Sequence, residues 1–287
     1  LELVRRLGAK YGRRAHDIIL VDKNLSHIWK PLLHEVAAGS LDANLDEVGY
    51  RGHCHRWGYR FFQGSLEGID REAKTIRLAP VKDEDGSELI AGHTIRYDIL
   101  ALAMGSVSND FGVPGVKEHC LYLDSREQAD RFRTRLLNHC LRVSRAMMND
   151  ASADEQVRVA IVGGGATGVE LAAELYNAAG ALRHYGLEVF DESRMRVTLL
   201  EAGPRILPAL PEKLAAAAKH ELEVLGVDVR PGVQVVEARP RQLVTATGEV
   251  IEADLIVWAA GVKGADFISG LGLETTGRNQ ILVTDTL

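Results

Sequence analysis

Apolar and polar positions alternate through VRVAIV, residues 157–162, with Val157, Val159 and Ile161 in register, the period-two signature of a buried strand. Glycines at 163, 165 and 168 follow, and from Val169 the sequence VELAAEL takes up helical spacing. Further on, MRVTLLE (195–201) predicts a strand, and PEKLAAAAKHELEVLG a helix with Pro211 near its start and Gly226 past its end. VDVRPGVQVVEA, the hairpin QLVTATGEVIEA and LIVWAAG predict further strands, and ILVTDTL from Ile281 begins another. In the first third, LELVRRL predicts a helix, and HDIILVD, RFFQGSLEGID, KTIRLAP and ILALAMG predict strands, with VKDEDGSEL as a charged turn. HIWKPLLHEVAAGSLD is too irregular for a plain strand. GVPG at 112–115 marks a turn and a domain exit, and SREQADRFRTRLLNHCLRVSRAMM a helix that runs into the polar connector NDASADEQ. Glu201 stands 33 positions beyond Gly168, more than the simplest nucleotide-binding unit needs; the surplus YNAAGALRHYGLEVFDESR predicts an extended helix plus a loop.

Two halves of this pattern echo one another. Asp98 precedes Gly105 by seven residues and Asp254 precedes Gly261 by seven, each pair spanning an apolar segment. HDIILVD ends on Asp22 and MRVTLLE on Glu201, while LELVRRL falls opposite VELAAEL, placing Glu2 against Glu170. The fold class expected is α/β, with two Rossmann-like dinucleotide-binding domains in succession. On this register the strand and glycine loop of the first unit would lie before Leu1, so the first domain is expected to be incomplete and the chain cut at both ends.

Composition narrows the class. The 287 residues suffice for two domains, with 46% hydrophobic and 26% charged residues as in globular proteins. A net charge of −6 argues against nucleic acid as a partner. No apolar run reaches the roughly 18 residues that span a bilayer. Cys54, Cys120 and Cys140 form no C-x-x-C pair. His53-Cys54-His55, read as a strand, would alternate between faces and chelate a metal poorly, so no metal is expected.

The glycines and carboxylates carry the chemistry. In a strand–loop–helix context, G-x-G-x-x-G makes a tight turn, lets backbone approach a pyrophosphate and brings helix against strand, with the helix N-terminus facing the phosphates. Glu201 at a strand end suits the adenosine ribose hydroxyls of NAD and repels the extra phosphate of NADP, although Arg205 nearby suits that phosphate. Asp22 is its counterpart in the first unit. Glu170, expected in the first helical turn, fits either a helix-dipole role or a place beside the reacting ring of the nucleotide.

HIWKPLLHEVAAGSLD, VAIVGGGATGVELAAEL, VTLLEAGPRILPALP and IEADLIVWAAGVK together resemble the bacterial type II NADH:quinone oxidoreductases, and the resemblance covers essentially the whole chain. It implies non-covalent FAD together with NAD(H), hydride transfer from NADH to FAD, and electrons passed to a membrane quinone without proton pumping. It implies a partial FAD-binding domain over 1–115, a helical connector over 116–155, an NAD(H)-binding domain over 156–280 and a return to the FAD domain from 281. Carried over by position, Asp22, Lys30, Pro31, Leu66, Ala103 and Gly105 would contact FAD. Gly163, Gly164, Gly165, Ala166, Gly168, Glu201, Ala260 and Gly261 would contact NADH, and Glu170 would stand beside the flavin–nicotinamide stack as the catalytic residue. The family's second flavin motif and its C-terminal membrane-binding region would lie beyond ILVTDTL, so weak flavin retention is expected of this chain. The resemblance places the whole protein peripherally on the cytoplasmic face of the bacterial inner membrane and leaves homodimerisation open. Two other readings use the same fold: an NADH-dependent reductase of a small electron-transfer protein, and a non-catalytic NADH-binding fragment. A disulfide reductase would need a cysteine pair where HIWKPLLHEVAAGS stands, and none is there.

Overall fold

Six apolar side chains are buried in consecutive runs, Leu199 and Leu200 on one strand and Leu255–Trp258 on another; they require a sheet covered on both faces, and the chain builds one. The computed structural model describes residues 1–287 except 13–14, 151–153, 183–185, 188–189, 191 and 287. Contacts divide the chain into two units: Leu1–Ile28, Asp46–Val107 and Lys263–Leu287 form the first, and Trp29–Leu45 with Ser108–Val262 the second. Residues 29–45, read in the sequence with the first unit, pack with the second.

In chain order, the first unit opens with helix α1 (Glu2–Tyr11) and strand β1 (Ile19–Asp22). Helix α2 (Leu33–Ala38) belongs to the second unit. The first unit resumes with helix α3 (Tyr50–Trp57) and strands β2 (Arg60–Gln63), β3 (Leu66–Asp70), β4 (Thr75–Leu78) and β5 (His93–Arg96). Strand β1 pairs in parallel with β2, Asp22 opposite Gln63, and β3–β4–β5 form an antiparallel sheet. The expected turn VKDEDGSEL is a small hairpin in which Asp83 accepts from the backbone N–H of Asp85 and Ser87.

Three expectations for this unit are corrected. ILALAMG forms no strand, because a strand is a hydrogen-bonded ladder and this segment has no ladder partner among the described residues; Ile99 stands 92% exposed. Among the described residues ILVTDTL makes a single bridge, Ile281 to Thr275, and its Leu282 and Val283 face solvent. His53-Cys54-His55 lies on helix α3, not on a strand. His53 Nδ1 sits 2.8 Å from the Tyr59 hydroxyl, and no three potential metal ligands converge among the described residues.

The second unit adds helix α4 (Arg126–Asn149), strand β6 (Val157–Val162), helix α5 (Ala166–Leu182), strand β7 (Met195–Glu201), helix α6 (Glu212–Leu225) and strand β8 (Asp228–Pro231). Strands β9 (Val235–Arg239), β10 (Gln242–Thr245), β11 (Val250–Glu252) and β12 (Leu255–Trp258) follow. Ser125 caps α4 by accepting from the Gln128 N–H, and Gly226 ends α6 in the left-handed region at φ +102°, as its sequence signals predict. The parallel sheet has the order β8–β7–β6–β12. One face packs on α5, and α6 packs against α5 and β8. On the other face, Ala160, Val162, Leu200, Ile256 and Trp258 pack with Val235, Ala238 and Leu243 of the β9–β10–β11 meander. Part of YNAAGALRHYGLEVFDESR, and part of the connector NDASADEQ, lies outside the described residues. Among the described residues no helix is long and apolar enough to cross a membrane.

Candidate functional site

The order β8–β7–β6–β12 sends the chain from β6 first to one side and then, through β12, to the other. The place where strand order reverses is the carboxyl end of β6, where open α/β sheets bind ligands. The glycines sit there, and each answers a different demand. Gly163 has φ +117°, and a Cβ on it would lie 2.7 Å from the Ala259 carbonyl and the Ala260 nitrogen. Gly168 passes so close to the turn that a Cβ would come within 2.0 Å of the Gly163 oxygen, which is the helix-to-strand approach the motif needs. Gly164 meets Ile206 and Glu201. At Gly165 a Cβ would meet nothing within 4 Å, so here the backbone faces open space at the start of α5. Helix N-terminal N–H groups beside unfilled space are what a pyrophosphate requires, and the loop fits that group.

Helix α5 begins at Ala166, earlier than the sequence suggested, which puts Glu170 in the second turn. Helix-dipole stabilisation falls off within the first turn, so it explains Glu170 less well there. Ala166, Thr167 and Glu170 are exposed and share one helical face rising from Gly165.

Glu201 ends β7 and closes the loop from the other side. Its Oε2 accepts from the Gly164 N–H at 2.7 Å and its Oε1 from the Gly203 N–H at 2.7 Å. Each oxygen keeps a lone pair for a ribose hydroxyl. Arg205 donates to the carbonyls of Leu207 (3.1 Å) and Pro208 (2.8 Å), so its guanidinium holds its own loop. Gly261, φ +62°, is packed on Phe111, and the Trp258 Nε1–H donates to the Asn109 carbonyl at 2.8 Å, which anchors the β12 end of the crevice. Asp254 of the sequence echo lies at the other end of the sheet, accepting from the Arg158 N–H and pairing with Arg241.

The second unit holds two further polar contacts. Lys30 Nζ lies 3.1 Å from Asp124 Oδ1, while Asp124 Oδ2 accepts from the Ser108 N–H at 2.8 Å. His34 Nδ1 lies 3.5 Å from Glu170 Oε2. Pro31 lies in a single helical turn between these residues, Lys30–Leu32. Sequence reading singled out Lys30 and Glu170 but missed Asp124 and His34. The available signal was the spacing of four between Lys30 and His34; their partners are distant in sequence.

In the first unit, Asp22 ends β1. Its Oδ1 accepts from the Asn24 N–H and its Oδ2 from the Tyr50 hydroxyl at 2.8 Å, again with a lone pair left on each oxygen for a ribose. Burial, and then the Asp22 carboxylate, push the Tyr50 hydroxyl well above its ordinary value, keeping it a donor. Leu66 begins β3, Ala103 lies in the irregular segment before Gly105, and a Cβ on Gly105 would meet nothing within 4 Å.

The model of the pyridine nucleotide-disulphide oxidoreductase family matches residues 3–287. A type II NADH:quinone oxidoreductase of Haemophilus influenzae is 46% identical over 299 aligned residues, covering 100% of this chain and 67% of that protein. The structure of NDH2 from Plasmodium falciparum in complex with NADH superposes with a TM-score of 0.77 at 18% identity, over 94% of this chain and 55% of that one. A ferredoxin reductase from Rhodopseudomonas palustris superposes at 0.71 with 20% identity, over 98% of this chain and 60% of that one, so the fold is shared among different electron acceptors. The chain thus spans between about half and two thirds of the length of these proteins. It belongs to the pyridine nucleotide-disulphide oxidoreductase family, and within that family to the type II NADH:quinone oxidoreductases.

Proposed function

We infer that the chain carries the NADH-binding part, and some of the flavin-contacting residues, of an enzyme that passes a hydride from NADH to FAD and electrons on to a membrane quinone, without proton pumping. The observation that carries the reading is the open backbone at Gly165, flanked by an α5 N-terminus on one side and the Glu201 carboxylate on the other. In it, the loop from Gly163 through Gly165, with Ala166 and Gly168, holds the pyrophosphate on backbone N–H groups. Glu201 accepts from the ribose, and Ala260 and Gly261 border the nicotinamide end. Glu170, one turn up the exposed face of α5, adjoins the reacting ring. Asp22, Lys30, Pro31, Leu66, Ala103 and Gly105 are the positions assigned to FAD. FAD, when bound, supplies hydride acceptance and onward release of single electrons or pairs. The protein's share is position, charge and exclusion of water.

The identity to a quinone reductase and the absence of a redox cysteine pair among three free cysteines favour a quinone over a disulfide as acceptor. Peripheral attachment on the cytoplasmic face of a membrane belongs to the same reading. NADH oxidation by the chain with FAD in excess tests it, comparing a soluble quinone with a small ferredoxin-type protein. With weak flavin retention, slow turnover with the quinone that rises with added FAD is the expected result. Turnover with the protein acceptor alone transfers the assignment to the other branch of the fold, and oxidation with neither contradicts it.

A further inference from the structure

Glu170 does not stand alone on α5. Helix α2 packs against both α5 and α4, and its Leu33, Val36, Ala37 and Ala38 are buried, so the core fixes where its polar residues go. One of these is His34, whose side chain is only 12% exposed. Its ring lies between two carboxylates: Nδ1 is 3.5 Å from Glu170 Oε2, and Nε2 is 3.9 Å from Glu35 Oε1. Four residues earlier Lys30 is tied to Asp124, so this short segment is pinned by polar contacts at both ends. Glu170 is 49% exposed, on the helical face that rises from the open side of Gly165. A half-exposed glutamate samples many rotamers; a nearly buried imidazole held by an apolar helix restricts them.

We propose that His34 is a positioning residue: its Nδ1–H holds the Glu170 carboxylate toward the nucleotide at the mouth of the glycine loop. The inference rests on the NADH reading above for what Glu170 faces, but the contact itself does not. The separation of 3.5 Å is ion-pair range, longer than a formed N–H···O bond, and contacts of this kind tighten when the ligand arrives. Of the two ring nitrogens, the one facing Glu170 must carry the proton. In water the neutral imidazole prefers the other tautomer, which makes the assignment measurable.

Nitrogen-15 spectra of the histidine-labelled chain, in mildly alkaline buffer, read the tautomer directly. The neutral His34 ring is expected to carry its proton on Nδ1, to shift toward the Nε2–H form in Glu170→Gln, and to stay on Nδ1 in Glu35→Gln. An Nε2–H ring in the unsubstituted chain, or a ring indifferent to Glu170→Gln, overturns the proposal. Calorimetric titration of NADH adds a functional readout. His34→Gln and Glu170→Gln are each expected to weaken binding by about threefold or more, with the double variant no weaker than Glu170→Gln alone. Unchanged affinity in the single variants, or additive losses in the double one, overturns the positioning role. An unsubstituted chain that binds no NADH at all contradicts the NADH reading instead, and leaves the tautomer result to decide the contact. Because the spectrum of the unsubstituted chain is itself decisive, a variant that fails to fold does not remove the test.

Discussion

At the scale of single residues, the glycine motif divides into two jobs that one substitution each separates. Gly165 faces open space, whereas Gly168 is locked against the Gly163 carbonyl. Gly165→Val should therefore leave the melting temperature nearly unchanged and remove nucleotide binding, because the isopropyl group occupies the phosphate space. Two charge-assisted hydrogen bonds lost at about 1.5–3 kcal/mol each amount to roughly two to four decades in affinity. Gly168→Ala should do the reverse first. The added methyl forces helix and loop apart, a strain of about 1–3 kcal/mol that lowers the melting temperature by several degrees. Thermal melts paired with NADH titrations check both; a Gly165→Val chain that binds NADH normally contradicts the phosphate assignment. The residue scale also shows what motif reading misses. Glu201 was legible as the carboxylate that ends its strand, but its hold on the N–H groups of Gly164 and Gly203 was not, because those bonds depend on how the loop closes.

At the scale of elements, the second unit was largely legible in the sequence. Its strands are runs of buried branched residues, and helix α6 carries end signals at Pro211 and Gly226. These are local signals, each satisfied by near neighbours. The misreadings share one physical cause, dependence on partners distant in the chain. ILALAMG has the composition of a strand, yet a strand exists only through its neighbours, and this one has none among the described residues. Its echo, β12, has the same kind of sequence and pairs with β6. His53-Cys54-His55 reads as strand, but lies on a helix, Tyr50–Trp57, whose Tyr50 is buried against Phe61 and bonded to Asp22. Helix α2 is too short to declare itself by periodicity; its packing on α4 and α5 defines it.

At the scale of the molecule, the cysteines distinguish this chain from the disulfide chemistry in its family's name. Cys120 and Cys140 are buried, and burial pushes both thiols from 9.0 up to about 12, so neither is a nucleophile near neutral pH. The sign follows from linkage. With the folded value above the unfolded one, stabilisation from keeping these thiols neutral is complete below pH about 9 and is lost as the pH rises toward 12. Alkylation of the native chain should mark Cys54 alone, with all three cysteines reacting after denaturation, and the urea midpoint should fall across that alkaline range. Modification of Cys120 or Cys140 in the native chain would show the core to be more open than described.

The central claim is that the crevice at the end of β6 is an NADH site read by Glu201, with Arg205 turned to its own loop. The most direct test is the pair of dissociation constants for NADH and NADPH, measured by calorimetric titration of the unsubstituted chain at one ionic strength. NADH is expected to bind tighter by about one to two decades, the worth of a charge-assisted ribose bond kept for one nucleotide and replaced by repulsion for the other. Equal or tighter NADPH binding would contradict it, and would mean that Arg205 leaves the Leu207 and Pro208 carbonyls to hold the extra phosphate.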